Sequence, residues 1–567
     1  MRIEDLLLRN GVLTPDQLAD AKRIVCPGKR LDQAVVELGF ADEDSLLKLM
    51  GGSLGLEVVS VQDAQVGADV LQLVPSRTVF KHQVFPLARN NGSLKVATSN
   101  PFDIFTLDEL HEATGLHIEP VLAPQREIAV AIKNHFGVGG ETVGAMVGDR
   151  LEVLEDQQGE GGDELAEEAS VIKLVNEILF EAIEQRTSDI HIEPLERGLR
   201  IRYRIDGILQ VQALPQEIHR FAPAIVSRLK IMARLNIAEK RLPQDGRIQL
   251  RVRGREVDIR VSIIPMTFGE GVVLRVLDKS RMQYDLKAIG MEEDHYAVWR
   301  QLIDLPHGIL LVTGPTGSGK STTLYSALQE IASEDIKIIT VEDPVEYQIS
   351  KIQQIQVHTK IGLTFSSGLR SILRHDPDVI LIGEIRDLET AEIAMQSALT
   401  GHLVFSTLHT NDASGAFTRL TDMGVEPFLV ASTVEAVLAQ RLVRMICKEC
   451  REAYAPDPLV LPEDIPGRGD PDLKLYRGKG CRACNQTGYR GRKGIFELLP
   501  ISDPLRHLVT ERSSSAIIKS EALREGLVTL RQDGWRKLLD GRTTLEEVIR
   551  ITKSDEGIKL VTKEAAT

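Results

Sequence analysis

Ile309-Leu310-Leu311-Val312-Thr313, followed by Gly314-Pro315-Thr316-Gly317-Ser318-Gly319-Lys320-Ser321-Thr322, is the stretch on which the reading of this chain turns. Five apolar or β-branched residues read as a buried strand, and an apolar-periodic helix follows the glycine run. Strand, glycine-rich loop and helix in that order are the context a phosphate-binding loop requires. Backbone N–H groups and the helix N-terminus would cradle phosphates, Lys320 would reach the β and γ phosphates, and Ser321 would ligate magnesium. Residues 314–322 are therefore the candidate ATP site. The bare pattern arises by chance in only about a few per cent of chains this long, before its flanks are counted.

Two strand-like runs further on end in acids. Lys337-Ile-Ile-Thr-Val341 precedes Glu342-Asp343, and Val379-Ile-Leu-Ile382 precedes Gly383-Glu384. In a parallel sheet both carboxylates would stand at the edge where the loop holds nucleotide. One could orient magnesium and the other polarise the attacking water. Leu403-Val-Phe-Ser-Thr407-Leu-His409 is a third such run. It offers His409 as a γ-phosphate sensor, with His402 the weaker candidate.

Cys447-x-x-Cys450 and Cys481-x-x-Cys484 have the spacing of a four-thiolate zinc site. A disulfide pair is disfavoured in a reducing cytosol, and a redox Cys-x-x-Cys does not need two copies. Cys26 stands apart and reads as a small buried hydrophobe. Lys448, Arg451, Arg482, Arg490, Arg492 and Lys493 cluster around the thiols. They read either as a solvated face or as a docking surface for an acidic partner or anionic lipid.

The 567 residues are too many for one core, and 43% hydrophobic with 26% charged content fits an ordinary folded protein. A net charge of -14 argues against a nucleic-acid partner, whose affinity rests on Lys and Arg releasing counterions. No apolar run approaches the ~18–20 residues a membrane span needs, and the opening Met1-Arg-Ile-Glu-Asp lacks a signal-like pattern. A cytoplasmic chain is expected.

Residues 1–136 read as a partner-docking module. Leu8-x-x-Gly11 followed by Leu18 is echoed by Val36-x-x-Gly39 followed by Leu46, each a helix–turn–helix with N-cap signals at Thr14-Pro15 and Asp42. A small α/β segment spans Val58 to Phe136. Residues 137–168, rich in glycine and acid, read as a flexible linker. A second domain at 169–285 opens with an amphipathic Val171–Gln185 stretch and includes Leu199-Arg-Ile-Arg-Tyr-Arg-Ile205, whose alternation puts its arginines on one face. Residues 286–567 carry the phosphate-binding loop, and Thr543-x-x-Glu546 reads as a capping box for a terminal helix.

From about Val171 the chain resembles the secretion-superfamily ATPases of type II secretion and type IV pilus extension. The matching blocks are Ser188-Asp-Ile-His-Ile-Glu193, Arg241-Leu-Pro-Gln-Asp-Gly-Arg247, the phosphate-binding loop, Thr340-Val-Glu-Asp-Pro-Val-Glu-Tyr347, Asp378-Val-Ile-Leu-Ile-Gly-Glu-Ile-Arg-Asp387 and Thr400-Gly-His-Leu-Val-Phe-Ser-Thr-Leu-His409. The resemblance implies an α/β multidomain hexamer of RecA-like motor domains, each preceded by a PAS-like domain and carrying a zinc subdomain at 445–495. It implies Glu342 as general base, Glu384 as Walker B acid, and Arg260, Arg275, Arg370, Arg374 and Arg386 as a phosphate-sensing set. It also implies an inner-membrane platform and the cytoplasmic domain of a membrane-anchored protein as partners. More loosely, the N-terminal repeat resembles a module that binds cyclic di-GMP in some pilus ATPases, but it lacks the Arg-Leu-Gly lead-in; the second copy reads Arg30-Leu-Asp32. Type II secretion and type IV pilus extension share every motif used here. The rivals from other classes are a RecA-like nucleic-acid translocase and a regulatory nucleotide-binding scaffold.

Overall fold

A computed structural model of the chain describes residues 3–136, except 25–29, 62, 63, 65, 72 and 91, together with residues 162–278 and 285–552. Cys26 and most of the acidic 137–168 stretch lie outside the described residues. The chain divides into two compact units, Met1–Asp278 and Lys279–Thr567. Among the described residues no helix is long and apolar enough to cross a membrane.

The first unit opens with the two helix pairs of the repeat, Ile3–Arg9 with Pro15–Ile24 and Leu31–Glu37 with Glu43–Leu54. Gly11 and Gly39 turn each pair at φ +66° and +70°, a conformation that a side chain would disfavour. Thr14 and Gln17 bond reciprocally across the second helix's start, and Asp42 accepts from the Ser45 N–H at 2.8 Å, so both caps act as their sequence suggests. The repeat marks Leu8 and Val36, yet their predecessors Leu7 and Val35 are the fully buried residues. A three-stranded sheet follows, β1 (Phe85–Asn90), β2 (Ser93–Thr98) and β3 (His117–Leu122). β1–β2 is an antiparallel hairpin, and β3 returns parallel to β2 through the Ile104–Thr114 helix.

The same unit continues with the Gly162–Glu184 helix, which starts ahead of the Val171 expected from periodicity. Six strands form its second sheet: β4 (Thr187–Leu195), β5 (Gly198–Ile205), β6 (Ile208–Val211), β7 (Gln244–Val252), β8 (Arg255–Met266) and β9 (Gly269–Asp278). They run in the order β6-β5-β4-β9-β8-β7, every pair antiparallel. On β5, Ile201 and Tyr203 are buried. Arg200 and Arg202 emerge on the other face to share Glu193, and Arg204 lies 3.4 Å from Asp189.

The second unit is built on β10 (Gly308–Thr313), β11 (Ile338–Glu342), β12 (Gln353–Gln356), β13 (Val379–Ile382), β14 (Leu403–Leu408), β15 (Val434–Ile446) and β18 (Tyr489–Pro500), with the two-stranded ribbon β16 (Arg451–Tyr454) and β17 (Leu475–Gly478) apart. The main sheet runs β12-β11-β13-β14-β10-β15-β18. All its pairs are parallel except β15–β18. Every residue of β10, β11, β13 and β14 is buried, which explains their unbroken apolar reading. Register fixes the edge: Thr313 pairs with Leu408, Ile382 with Ser406, and Val341 with Ile382. Gly314, Glu342, Glu384 and His409 therefore leave the sheet at one end.

The last helix, Leu545–Ile551, corrects the capping expectation by one residue. Its N-cap is Thr544, whose hydroxyl accepts from the Glu547 N–H. Thr543 is fully buried, and its hydroxyl donates instead to the Arg444 carbonyl at 2.8 Å.

Candidate functional site

The phosphate-binding loop is shaped by glycines whose backbone other residues disfavour. Gly314, Gly317 and Gly319 have φ of +146°, +79° and +90°. A Cβ on Gly314 would stand 2.5 Å from the Gln440 carbonyl oxygen and 2.6 Å from Ser318 Oγ, so the turn also lacks room for one. Gly319 occupies the N-cap of the Lys320–Ile331 helix, so no side chain caps that terminus, and its first turn carries no acid. Its N–H groups and dipole are left for an anion. Among the described residues Ser318 Oγ and Thr313 Oγ1 are buried without a hydrogen-bond partner, a polar lining that fits a phosphate-bearing ligand.

Lys320 Nζ donates to the carbonyls of Gly314 and Pro315 at 2.9 and 3.1 Å. Burial pulls its pKa below the usual lysine value, the Glu384 carboxylate opposes this, and the Arg441 cation adds to it. Ser321 is exposed at the helix start and Thr322 half-buried beside it.

Glu342, at the end of β11, is 5% exposed, and its carboxylate accepts from the Tyr325 hydroxyl, Thr340 Oγ1 at 2.6 Å and Gln354 Nε2 at 3.1 Å. Burial, then the neighbouring Glu342 charge, drives the Tyr325 phenol well above its ordinary pKa, so it stays a donor. Glu384 instead contacts Arg386 directly, and its Oε2 lies 3.3 Å from His409 Nε2. Thr407 braces the turn between them: its hydroxyl donates to the Gly383 carbonyl at 2.7 Å, and its own carbonyl accepts from Ile385 N–H. His402 is set apart, with Nδ1 2.9 Å from the Ser397 carbonyl at the preceding helix end.

The arginines do not form one cluster. Arg386 is the one in contact with a site acid. Arg370 pairs with Glu389 at 2.5 Å, and Arg374 donates to the Arg370 carbonyl. Arg260 and Arg275 belong to the first unit as cross-strand neighbours on β8 and β9, with Arg275 Nε 3.2 Å from Asp189. Tyr325, Thr340, Gln354 and Gln440 escaped the sequence reading. A phenol on a buried helix face was the available signal for Tyr325, because such a hydroxyl needs a partner.

The four thiols meet. Cys447–Cys481, Cys450–Cys484 and Cys481–Cys484 sulfurs are 3.8, 3.9 and 3.7 Å apart, and all four lie within 4.8 Å of one another. A tetrahedron with ~2.3 Å zinc–sulfur bonds has edges of about 3.8 Å, so the set fits zinc. Burial pushes the Cys450 thiol up to about 12. Burial also acts on Cys484, but N–H groups of Cys481 and Gly488 hold it below the usual thiol value. Nearby, Arg451 stacks 3.9 Å from the Tyr476 ring, while Lys448, Arg482, Arg490 and Arg492 are exposed.

The N-terminal module holds a cavity of about 420 Å³ whose lining includes Arg30, Asp32, Leu46, Met50 and Arg126. Arg30 is already engaged by Asp32 through two bonds of 3.1 and 2.7 Å.

Residues 164–550 match the Type II/IV secretion system protein family, and residues 54–142 match the MshEN domain. The chain is 45% identical over 565 residues to the type IV pilus assembly ATPase PilB of Myxococcus xanthus, covering 98% of this chain and 99% of that one. It is 44% identical over 570 residues to the type II secretion system protein E of Xanthomonas campestris pv. campestris, covering 97% and 98%. Among solved structures it is similar to the pilus retraction motor PilT with bound ADP, at 26% identity and a TM-score of 0.45 over 67% of this chain and 97% of that one.

Proposed function

Since the chain belongs to the type II/IV secretion system protein family of ATPases, we propose that it is a magnesium-dependent motor that hydrolyses ATP to drive type II protein secretion as a hexamer at the inner membrane. The observation that carries this reading is the convergence of the Lys320 loop, Glu342, Glu384 and His409 at one end of a parallel sheet. The loop's N–H groups and Lys320 bind the triphosphate, and Ser321 offers a hydroxyl to the metal. Magnesium held there would neutralise charge on the phosphates. Glu342, oriented by its three donors, takes the proton of the attacking water. Glu384 would hold the metal as the Walker B acid, and His409, in contact with Glu384, senses the γ-phosphate. Arg386 stands beside this pair as a charge sensor, and the family resemblance alone offers Arg260, Arg275, Arg370 and Arg374 as further phosphate sensors.

The four thiols would hold a structural zinc. The basic residues around it give a docking face for the membrane platform and anionic lipid, while the N-terminal module docks the cytoplasmic domain of a membrane-anchored partner. Cyclic di-GMP is a candidate ligand of that module, part of which matches the MshEN domain, with Asp32 competing for Arg30. Type IV pilus extension is the alternative cargo, favoured by the full-length similarity to a pilus ATPase.

Hydrolysis by the full chain, titrated with magnesium and with the membrane platform, tests the proposal. Turnover that needs magnesium and rises with the platform is expected. Nucleotide binding without turnover under any of these conditions would shift the protein to the regulatory scaffold class.

A further inference from the structure

Gln440 stands outside every motif quoted above, yet it touches both glycine ends of the phosphate-binding loop. It sits on β15, one step beyond the Thr313–Ala439 pair that aligns this strand with β10. Its carbonyl oxygen lies 2.5 Å from where a Cβ on Gly314 would be, and its Nε2 lies 2.9 Å from the equivalent position on Gly319. Its Oε1 accepts from Thr323 Oγ1 at 2.7 Å, which ties the same side chain to the helix whose N-terminus faces the anion. The residue is 2% exposed, and Thr323 is wholly buried. The approach to Gly314 is made by the Gln440 backbone, and the approach to Gly319 by its side chain, which that buried bond keeps from swinging aside, so strand and amide together limit the separation between loop start and helix start.

The next residue works from the other face of the strand, as alternation requires. Arg441 Nη2 reaches Asn411 Oδ1 at 2.9 Å, two residues past His409. Since β10 lies between β14 and β15, this bond spans the end of β10 where the loop begins.

We propose that Gln440 is a positioning residue for the nucleotide site, holding the phosphate-binding loop and its helix in register so that nucleotide affinity depends on an amide that is not part of the loop. The inference rests on the nucleotide reading above. A loop whose N–H groups are displaced by a few tenths of an ångström loses hydrogen bonds to every phosphate it holds, in substrate and product alike. The effect therefore falls on binding more than on the chemical step.

The test compares the full chain with Gln440→Glu, which keeps the acceptor for Thr323 but removes the amide donor and adds charge, and with Thr323→Val, which cuts the bond from the helix side. Fluorescent ADP titration, steady-state KM and kcat, and thermal melting are read together. Both variants are expected to weaken ADP binding and raise KM by about tenfold, with kcat falling less than about threefold. A melting temperature that falls while ADP affinity stays within about twofold of the parent would show a merely structural residue and overturn the proposal. If Gln440→Glu does not fold, Thr323→Val decides alone. A parent that binds no nucleotide overturns the site's functional reading and this inference with it; a parent that binds while folded variants bind equally well overturns this inference only.

Discussion

His409 Nε2 lies 3.3 Å from Glu384 Oε2, so the end of β14 and the turn after β13 share one polar contact at the mouth of the candidate nucleotide site. With Arg386 on the other carboxylate oxygen, Glu384 is held from two sides. His409→Ala is expected to lower kcat by about tenfold while leaving nucleotide affinity within about threefold, because one acid–base or sensing contact is lost and the loop is untouched. Glu384→Gln should cost about a hundredfold. Equal turnover by parent and His409→Ala in steady-state assays would remove the histidine from the site.

The Cys447, Cys450, Cys481 and Cys484 sulfurs sit at tetrahedral spacing. Metal analysis of the purified chain should find one zinc, retained through dialysis and lost with Cys481→Ser. Because a structural zinc contributes folding energy directly, its removal by a strong chelator should lower the melting temperature. Four titratable thiols and no metal in protein purified with reductant would contradict this.

Glu547 is 1% exposed and accepts from the Arg550 and Arg444 guanidiniums and the Arg444 N–H. Burial alone would raise its pKa, but the arginine partners prevail and hold it at about 2. The folded value lies below the unfolded one, so the stabilisation is complete above pH ~4.5 and disappears as pH falls toward 2. It is on the order of 2 kcal/mol once screening is allowed for. The melting-temperature gap between parent and Glu547→Gln should therefore narrow from pH 7 to pH 3. A gap that does not change with pH would mean the carboxylate charge is not what holds the terminal helix.

The parts of this site legible in sequence are those whose physics is local. Three glycines before Lys320 declare their backbone demands within a few positions, and acids at the ends of apolar runs become neighbours once the strands are parallel. The partners of those acids were not legible. Tyr325 reaches Glu342 from a helix, and Gln440 reaches Thr323 across 117 residues, contacts that only sheet order creates. Local reading also failed by one residue at Thr543, where a tertiary bond to the Arg444 carbonyl displaced the cap to Thr544. The repeat in the first helices was visible as spacing, but which residue faces inward depended on packing, which chose Leu7 and Val35.

The bidentate Arg30–Asp32 contact lies in the lining of the N-terminal cavity. A guanidinium already paired has little left for a phosphodiester. Asp32→Gly should tighten cyclic di-GMP binding to the full chain by at least about tenfold by calorimetry. Equal affinity of the parent and Asp32→Gly would refute the competition between Asp32 and the ligand for Arg30.

ATP hydrolysis at this sheet edge, with Lys320 gripping phosphates and Glu342 activating water, is tested most directly by steady-state assays with magnesium and the membrane platform, comparing the parent with Lys320→Ala and Glu342→Gln. Lys320→Ala is expected to lose nucleotide binding together with turnover, while Glu342→Gln keeps binding within about threefold and loses at least about a hundredfold in kcat. Turnover by Glu342→Gln at the parental rate would contradict it.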